Sequence, residues 1–203
     1  MPGQHGAGCG CVPEDQGAAS GYWLYSSIDH PAIASSGASP AGSASRLFRP
    51  YDQRLDDTIV CQSEDLADPE IIICVSLTSP SKLTALTVIT GEGFHAPSVR
   101  LFANAPACDF SIVHDREPTQ DINLVPDFHG SIEYPLRTSK FSQLQNLTLH
   151  FPAEEAVHLH WIGLKGVASG DKRQAVVTVY EAKPNLADHA VKGETSAPRF
   201  DVA

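Results

Sequence analysis

The length, composition and charge of the chain restrict its class. It has 203 residues, 42% of them hydrophobic and 19% charged, as in a soluble globular protein with one sizeable domain or two small ones. A formal net charge of -10 disfavours binding to nucleic acid or to anionic membrane surfaces, and it favours partners with basic patches. Its five cysteines form no disulfide framework, and we expect a cytosolic or nuclear protein without a membrane span or a secretory signal.

Residues 1–20 are rich in glycine and poor in large apolar side chains. Such a segment buries too little surface to offset its ordering entropy, so we expect a flexible tail. His5, Cys9 and Cys11 lie within it, and thiolates and imidazole are zinc ligands. A solvated tail is the simpler interpretation, because no fourth ligand lies nearby.

The next segments predict an aromatic anchor followed by surface loops. The aromatic residues of segment 21–29 are expected to fix the start of the domain to its core, although a binding platform is an alternative. Segment 35–45 has the low complexity of a mobile surface loop. Acidic residues are crowded between residues 56 and 70, where they predict a solvated acidic surface, since the spacing of an EF-hand is absent.

Several apolar segments predict strands. Residues 71–77 are expected to form a buried central strand, and residues 83–90, 99–103 and 175–181 further strands. Residues 110–113 and 121–125 are interpreted as loop or edge segments, and residues 131–136 as an edge strand, because it contains a proline.

Apolar residues alternate with polar ones in both halves of the segment 147–166, LTLHFPAEEAVHLHWIGLKG. The alternation predicts two strands joined by a turn centred on Glu154. In that hairpin His150 would face His158, with His160 on the same face, so that the three histidines could bind zinc. The simpler interpretation is three ordinary residues of a polar face.

Many short strands with turn signals every ten or so residues predict an antiparallel β-sandwich or jelly roll. The order of several short motifs also resembles that of a known family, the PITH domain. The motifs are YSSID (25–29), FRPY (48–51), VRLFAN (99–104), DREP (115–118), KFS (140–142), WIGLKG (161–166), YEA (180–182) and NLADH (185–189).

The PITH domain is the proteasome-interacting module found after a thioredoxin-like domain and, in PITH domain-containing proteins, alone. The resemblance implies an all-β, galactose-binding-like jelly roll over residues 21–191, between the N-terminal tail and a C-terminal tail, 192–203. It implies a non-catalytic protein of cytoplasm and nucleus that associates with the regulatory particle of the 26S proteasome. We expect the protein to be a monomer without a cofactor.

The alternatives are a sugar-binding jelly roll and a metal or redox protein that uses the N-terminal His and Cys residues. For the leading interpretation, loops and tails are the expected contact regions, because function concentrates there on a rigid sandwich. The candidate partner-binding residues are Asp56, Asp57, Glu64, Asp65, Asn185, Asp188 and His189.

Overall fold

The computed structural model describes residues 21–93, 96–105 and 109–169. Antiparallel strands dominate these ranges. They are β1 (Tyr22–Trp23), β2 (Ala34–Ser36), β3 (Ala38–Ser39), β4 (Cys61–Ser63), β5 (Ile71–Thr90), β6 (Ser98–Ala103), β7 (Gln120–Asn123), β8 (Tyr134–Pro135), β9 (Leu144–Phe151) and β10 (His158–Ala168).

Helical structure in the described ranges is short. Helix α1 (Phe110–Asp115) begins after Asp109, whose side chain accepts a hydrogen bond from the Ser111 backbone N–H at 3.0 Å. The 3-10 turns are Tyr25–Ser27, His30–Ala32, Ser43–Leu47 and Tyr51–Gln53. None of the helices described is long and apolar enough to cross a bilayer.

Strand β5 is the centre of the sheet. Its first half pairs with β9 on one side and β2 on the other, from Ile71 opposite Phe151 to Ser76 opposite Asn146. Its second half pairs with β10 and β8. The two strands predicted at 71–77 and 83–90 are therefore one strand. The β9 ladder lapses between Ser76 and Ser81, where Pro80 supplies no N–H.

The remaining strands extend the sheet on both sides of β5. The order along the hydrogen-bonded path is β3-β4-β10-β5-β9-β6-β7, with β1 added to β10. Strand β7 ends this path, and among the described strands it pairs with β6 alone, which agrees with the edge segment predicted at 121–125. Of the predicted strand 131–136, only Tyr134–Pro135 pairs with β5.

The hydrophobic core lies between the two halves of this sheet. Ile71 and Ile73 come from the first half of β5 and Leu83 and Leu86 from the second, and all four are fully buried in one cluster. Each buried side chain of this kind stabilises the fold by about 1.5–3 kcal/mol relative to its exposed state. The two halves cover each other, which confirms the predicted antiparallel β-sandwich.

The predicted 147–166 hairpin is wrong. Both of its strands exist, but β9 and β10 each pair with β5 and not with each other. His150 lies opposite Ile72 and Arg100, whereas His158 lies opposite Gln62. Alternation determines which side chains share a face, but it does not determine which strand is the partner. The β5 strand is long enough to pair with both.

Two further predictions are wrong. Residues 110–113 are the first turn of α1, and the Asp109 cap is the signal that a search for two-residue alternation overlooks. Residues 35–45, predicted as a mobile loop, contribute to β2, β3 and a 3-10 turn. The backbone of β3 pairs with β4 although its side chains carry no hydrophobic pattern. The strand predicted at 175–181 lies outside the described residues.

Candidate functional site

Three side chains from distant parts of the chain meet in what we call the His–Glu–His cluster, formed by Glu70, His114 and His150. Glu70 directly precedes β5, His114 lies on α1 and His150 on β9. The Oε2 atom of Glu70 lies 2.8 Å from Nε2 of His114 and 3.1 Å from Nε2 of His150. All three ligand atoms lie within 4.8 Å of one another. The cluster therefore directs one carboxylate and two imidazoles at a single point.

Burial and hydrogen bonding set the charges in this cluster. Burial lowers the pKa of His150, and it outweighs the hydrogen bond to Glu70, which raises that pKa. Partial burial raises the pKa of Glu70, but the hydrogen bonds from His114 and His150 together lower it by more, so the net shift of this pKa is downward. At neutral pH the carboxylate is ionised and His150 is neutral, with its Nε2–H donating to Glu70. Nδ1 of His150 is buried without a hydrogen-bond partner.

A second feature, the acidic groove, lies at another part of the surface. Its lining includes the carboxylates of Asp56, Asp57 and Glu92, the apolar side chains of Leu55 and Phe128, and the basic side chain of Arg54, and it encloses about 410 Å³. Leu55 and Phe128 are 53% and 43% exposed. Hydrogen bonds from Thr58 lower the pKa of Asp56, so its charge persists into acid. The groove offers apolar contact surface with an acidic rim.

Arg49 holds one wall of the acidic groove in place. This arginine is only 9% exposed, and it donates hydrogen bonds to the backbone oxygens of Arg46, Asp56 and His160 at 2.8, 3.0 and 3.1 Å. The Arg49 carbonyl accepts a further bond from Nε1 of Trp161 on β10 at 3.0 Å. These bonds tie the loop that carries Asp56 to the rigid sheet.

Asp127 holds the opposite wall. It is 5% exposed, and its carboxylate accepts backbone hydrogen bonds from His129, Gly130 and Ile132 at 3.0, 2.9 and 2.7 Å. The loop that it organises carries Phe128. A bond of 3.0 Å from Nε of Arg54 to the His129 carbonyl joins this loop to the Leu55 loop. The groove is therefore built in advance of any contact with a partner.

The other acidic residues predicted as partner contacts lie apart from the groove. Glu64 and Asp65 are exposed and line a separate hollow with Asp68 and Phe110. Leu66, which follows Asp65, is 75% exposed. Strand β4 separates the two acidic segments along the chain, so the four predicted acidic residues form two exposed pairs and not one patch.

Of the aromatic residues near the start of the domain, Trp23 packs in a cluster with Tyr51 and Trp161. Trp23 stacks on Tyr51 with ring centroids 4.9 Å apart, and Trp161 meets Trp23 edge-on at 5.4 Å. The guanidinium of Arg54 lies 3.9 Å from the centre of the Tyr51 ring, and Nζ of Lys165 lies 4.5 Å from the centre of Trp23. The rings are occupied by one another and by cations, as expected for an anchor. Tyr22 and Tyr25, which lie outside this cluster, are 72% and 40% exposed.

The three histidines predicted as a metal site are not brought together by a hairpin. His150 belongs to the His–Glu–His cluster, whereas His158 and His160 lie on β10 beside Gly91. Burial lowers the pKa of both His158 and His160. Of the predicted trio, His150 alone lies in the group of potential metal ligands found among the described residues.

Several predicted residues lie outside the described ranges: His5, Cys9 and Cys11, and Asn185, Asp188 and His189. Conversely, the sequence reasoning missed His114 and did not associate Glu70 with any histidine. Their positions, 70, 114 and 150, follow no local spacing. The only usable signal was the capped helix at 110–115, which places His114 one turn from its start.

Comparison with known proteins gives the family. The family model of the PITH domain matches residues 14–184. The chain belongs to the PITH domain family. "PITH domain-containing protein 1" of Homo sapiens is 32% identical over 207 residues, covering 96% of this chain and 95% of that protein. Its counterpart in Dictyostelium discoideum is 34% identical over 152 residues, covering 73% and 74%.

Solved structures give the architecture of this PITH domain. A fucose-type lectin, the "f-lectin (fucolectin)" from striped bass serum, has a TM-score of 0.50 at 12% identity, covering 74% of this chain and 52% of that one. The similarity confirms the galactose-binding-like jelly-roll fold that the PITH resemblance implied. Family and fold together support a non-enzymatic interaction module. The domain bounds predicted at 21 and 191 stay a prediction.

Proposed function

We propose that this PITH protein is a non-catalytic interaction module that associates with the regulatory particle of the 26S proteasome in cytoplasm and nucleus. The observation that carries the proposal is the PITH match over residues 14–184, because the resemblance to that family implies this partner. The chain acts as a monomeric adaptor surface, and its net charge of -10 favours a basic site on the partner.

The acidic groove is the contact surface that the geometry supports best. Its carboxylates steer a basic partner, and Leu55 and Phe128 give the apolar contact that rim charges alone do not supply. Arg49 and Asp127 fix its two walls from below. Because the loops are already ordered, docking loses less conformational entropy than docking to a flexible loop would.

Affinity purification tests the association. Tagged full-length chain is expressed in cells and cross-linked, and the recovered subunits of the regulatory particle are quantified against those of the proteolytic core. We expect enrichment of regulatory-particle subunits that declines with added salt, since screening weakens contacts between exposed charges. Recovery of the tagged chain without these subunits would contradict the proposal.

Charge reversal tests the groove. The double variant Asp56→Lys, Asp57→Lys is compared with Glu154→Lys, Glu155→Lys, which changes the net charge equally at two exposed residues outside the groove. Exposed pairs contribute up to about 1 kcal/mol each, so reversing two should weaken binding about tenfold or more. Equal binding by both variants would exclude the groove while leaving the association itself intact. A third variant, Glu64→Lys, Asp65→Lys, tests the second acidic pair.

A further inference from the structure

The His–Glu–His cluster has the composition and spacing of a metal site. Zinc binds imidazole nitrogen and carboxylate oxygen at about 2.0–2.2 Å, so ligand atoms around a tetrahedral ion lie roughly 3.3 Å apart. In the cluster Oε2 of Glu70 lies 2.8 and 3.1 Å from the two Nε2 atoms, and the whole set lies within 4.8 Å. Small movements of two side chains would accommodate an ion among them.

Three separate elements supply the ligands, and they differ in rigidity. His150 is fully buried on β9, between its cross-strand neighbours Ile72 and Arg100, and is therefore fixed. The side chain of Glu70 is 18% exposed and that of His114 is 48% exposed on α1. The site therefore has one rigid ligand, and its other two can adjust while keeping a path from solvent.

Nδ1 of His150 is buried without a hydrogen-bond partner. Without metal, Nε2 carries the proton that bonds to Glu70, and Nδ1 is a buried acceptor with no donor. With metal on Nε2, the proton moves to Nδ1, which becomes a buried donor with no acceptor. One ring atom is unsatisfied in both states, so this atom does not distinguish the metal-free arrangement from the zinc-bound one.

The surrounding charges favour a cation. Glu70 also lines a hollow of about 560 Å³ whose rim carries Glu154 and Glu155. The opposing charge is that of Arg100 beside His150, and its guanidinium lies 3.8 Å from the Asp121 carboxylate, which partly neutralises it. The hollow gives a fourth ligand, such as water, space near the cluster.

We propose that Glu70, His114 and His150 form a binding site for a zinc ion, with three protein ligands and a fourth position open to solvent. Bound zinc would connect α1 and the start of β5 to β9, so it would brace the segment that follows the second acidic pair. The proposed ligands are residues 70, 114 and 150 alone, and their arrangement does not depend on the proteasome association.

Zinc binding by the full-length chain tests the site, with His5→Ala, Cys9→Ser and Cys11→Ser introduced so that the tail cannot contribute. Calorimetric titration with zinc at pH 7.5 should give one ion per chain, and affinity should fall in acid as protons compete. Cobalt substituted for zinc should show d–d absorption without a thiolate charge-transfer band, because the ligands are nitrogen and oxygen.

Ligand variants complete the test in the same background. Glu70→Gln and the exposed His114→Gln should each weaken zinc binding by about tenfold or more. His129→Gln, outside the cluster, is the matched control and should bind as the parent does. Failure of the parent to bind zinc, equal binding by His114→Gln, or a thiolate band in the cobalt spectrum would overturn the proposal. Circular dichroism of each variant verifies that it is folded.

Discussion

Removal of the Asp127 carboxylate should unfold the loop that carries one wall of the acidic groove. The carboxylate accepts three backbone hydrogen bonds, at 2.7–3.0 Å. Bonds to a charged acceptor contribute about 1.5–3 kcal/mol each, which would sum to roughly 5–9 kcal/mol. Water can replace the carboxylate at His129 and Ile132, which are not buried, but not at buried Gly130. We therefore expect Asp127→Ala to lower the free energy of unfolding by about 3 kcal/mol.

Urea unfolding followed by tryptophan fluorescence measures this loss, and two variants bracket it. Asp127→Asn keeps an oxygen for His129 and Gly130 but places an amide where Ile132 donates, so about half of the loss is expected. Asp121→Ala removes an exposed carboxylate whose pair with Arg100 measures 3.8 Å, and it should cost less than about 1 kcal/mol. A loss for Asp127→Ala no larger than that of Asp121→Ala would refute the reasoning.

Two further predictions concern stability. Gly166→Ala would place a Cβ atom 2.1 Å from the Lys82 carbonyl oxygen, so we expect its free energy of unfolding in urea to fall by about 3 kcal/mol. The control Gly42→Ala has open space around the added Cβ but a φ of +78°, so it should lose about 1 kcal/mol. Equal losses for the two variants would contradict this. The lowered pKa values of His150 and Glu70 mean that the unfolded chain binds more protons. The free energy of unfolding, measured with EDTA present, should therefore be highest above about pH 6.5. As the pH falls below that value, His150 takes up a proton in the unfolded chain first, and its contribution is lost. The contribution of Glu70 is lost in the same way below about pH 4.3. His150→Gln should flatten the first step, and an unchanged profile would argue against it.

Much of the fold could be predicted from the sequence because burial leaves a local signature. Alternation located β9 and β10, a mainly apolar run located the first half of β5, and Thr and β-branched residues located the second half. Partner choice leaves no such signature, since a strand with one buried face can pair with any neighbour that covers it. The continuity of β5 is also hard to predict, because a proline such as Pro80 usually indicates a break in a ladder. Here the backbone remains extended through it.

Less of the candidate site could be predicted. Acidic residues 56 and 57 were identified from composition, and both are exposed, but their apolar neighbour Phe128 reaches them only through the fold. The His–Glu–His cluster depends on long-range strand pairing. His150 lies opposite Arg100 and Ile72, and not opposite His158, which is closer to it in sequence. A wrong strand partner therefore grouped His150 with His158, which the structure does not pair.

The length of β5 has a mechanical consequence. One uninterrupted backbone supplies a strand to both layers of the sandwich, from Ile71 to Thr90. Separating the layers would require β5 to leave one of its two ladders, so slow exchange of amide protons is expected in both halves of β5.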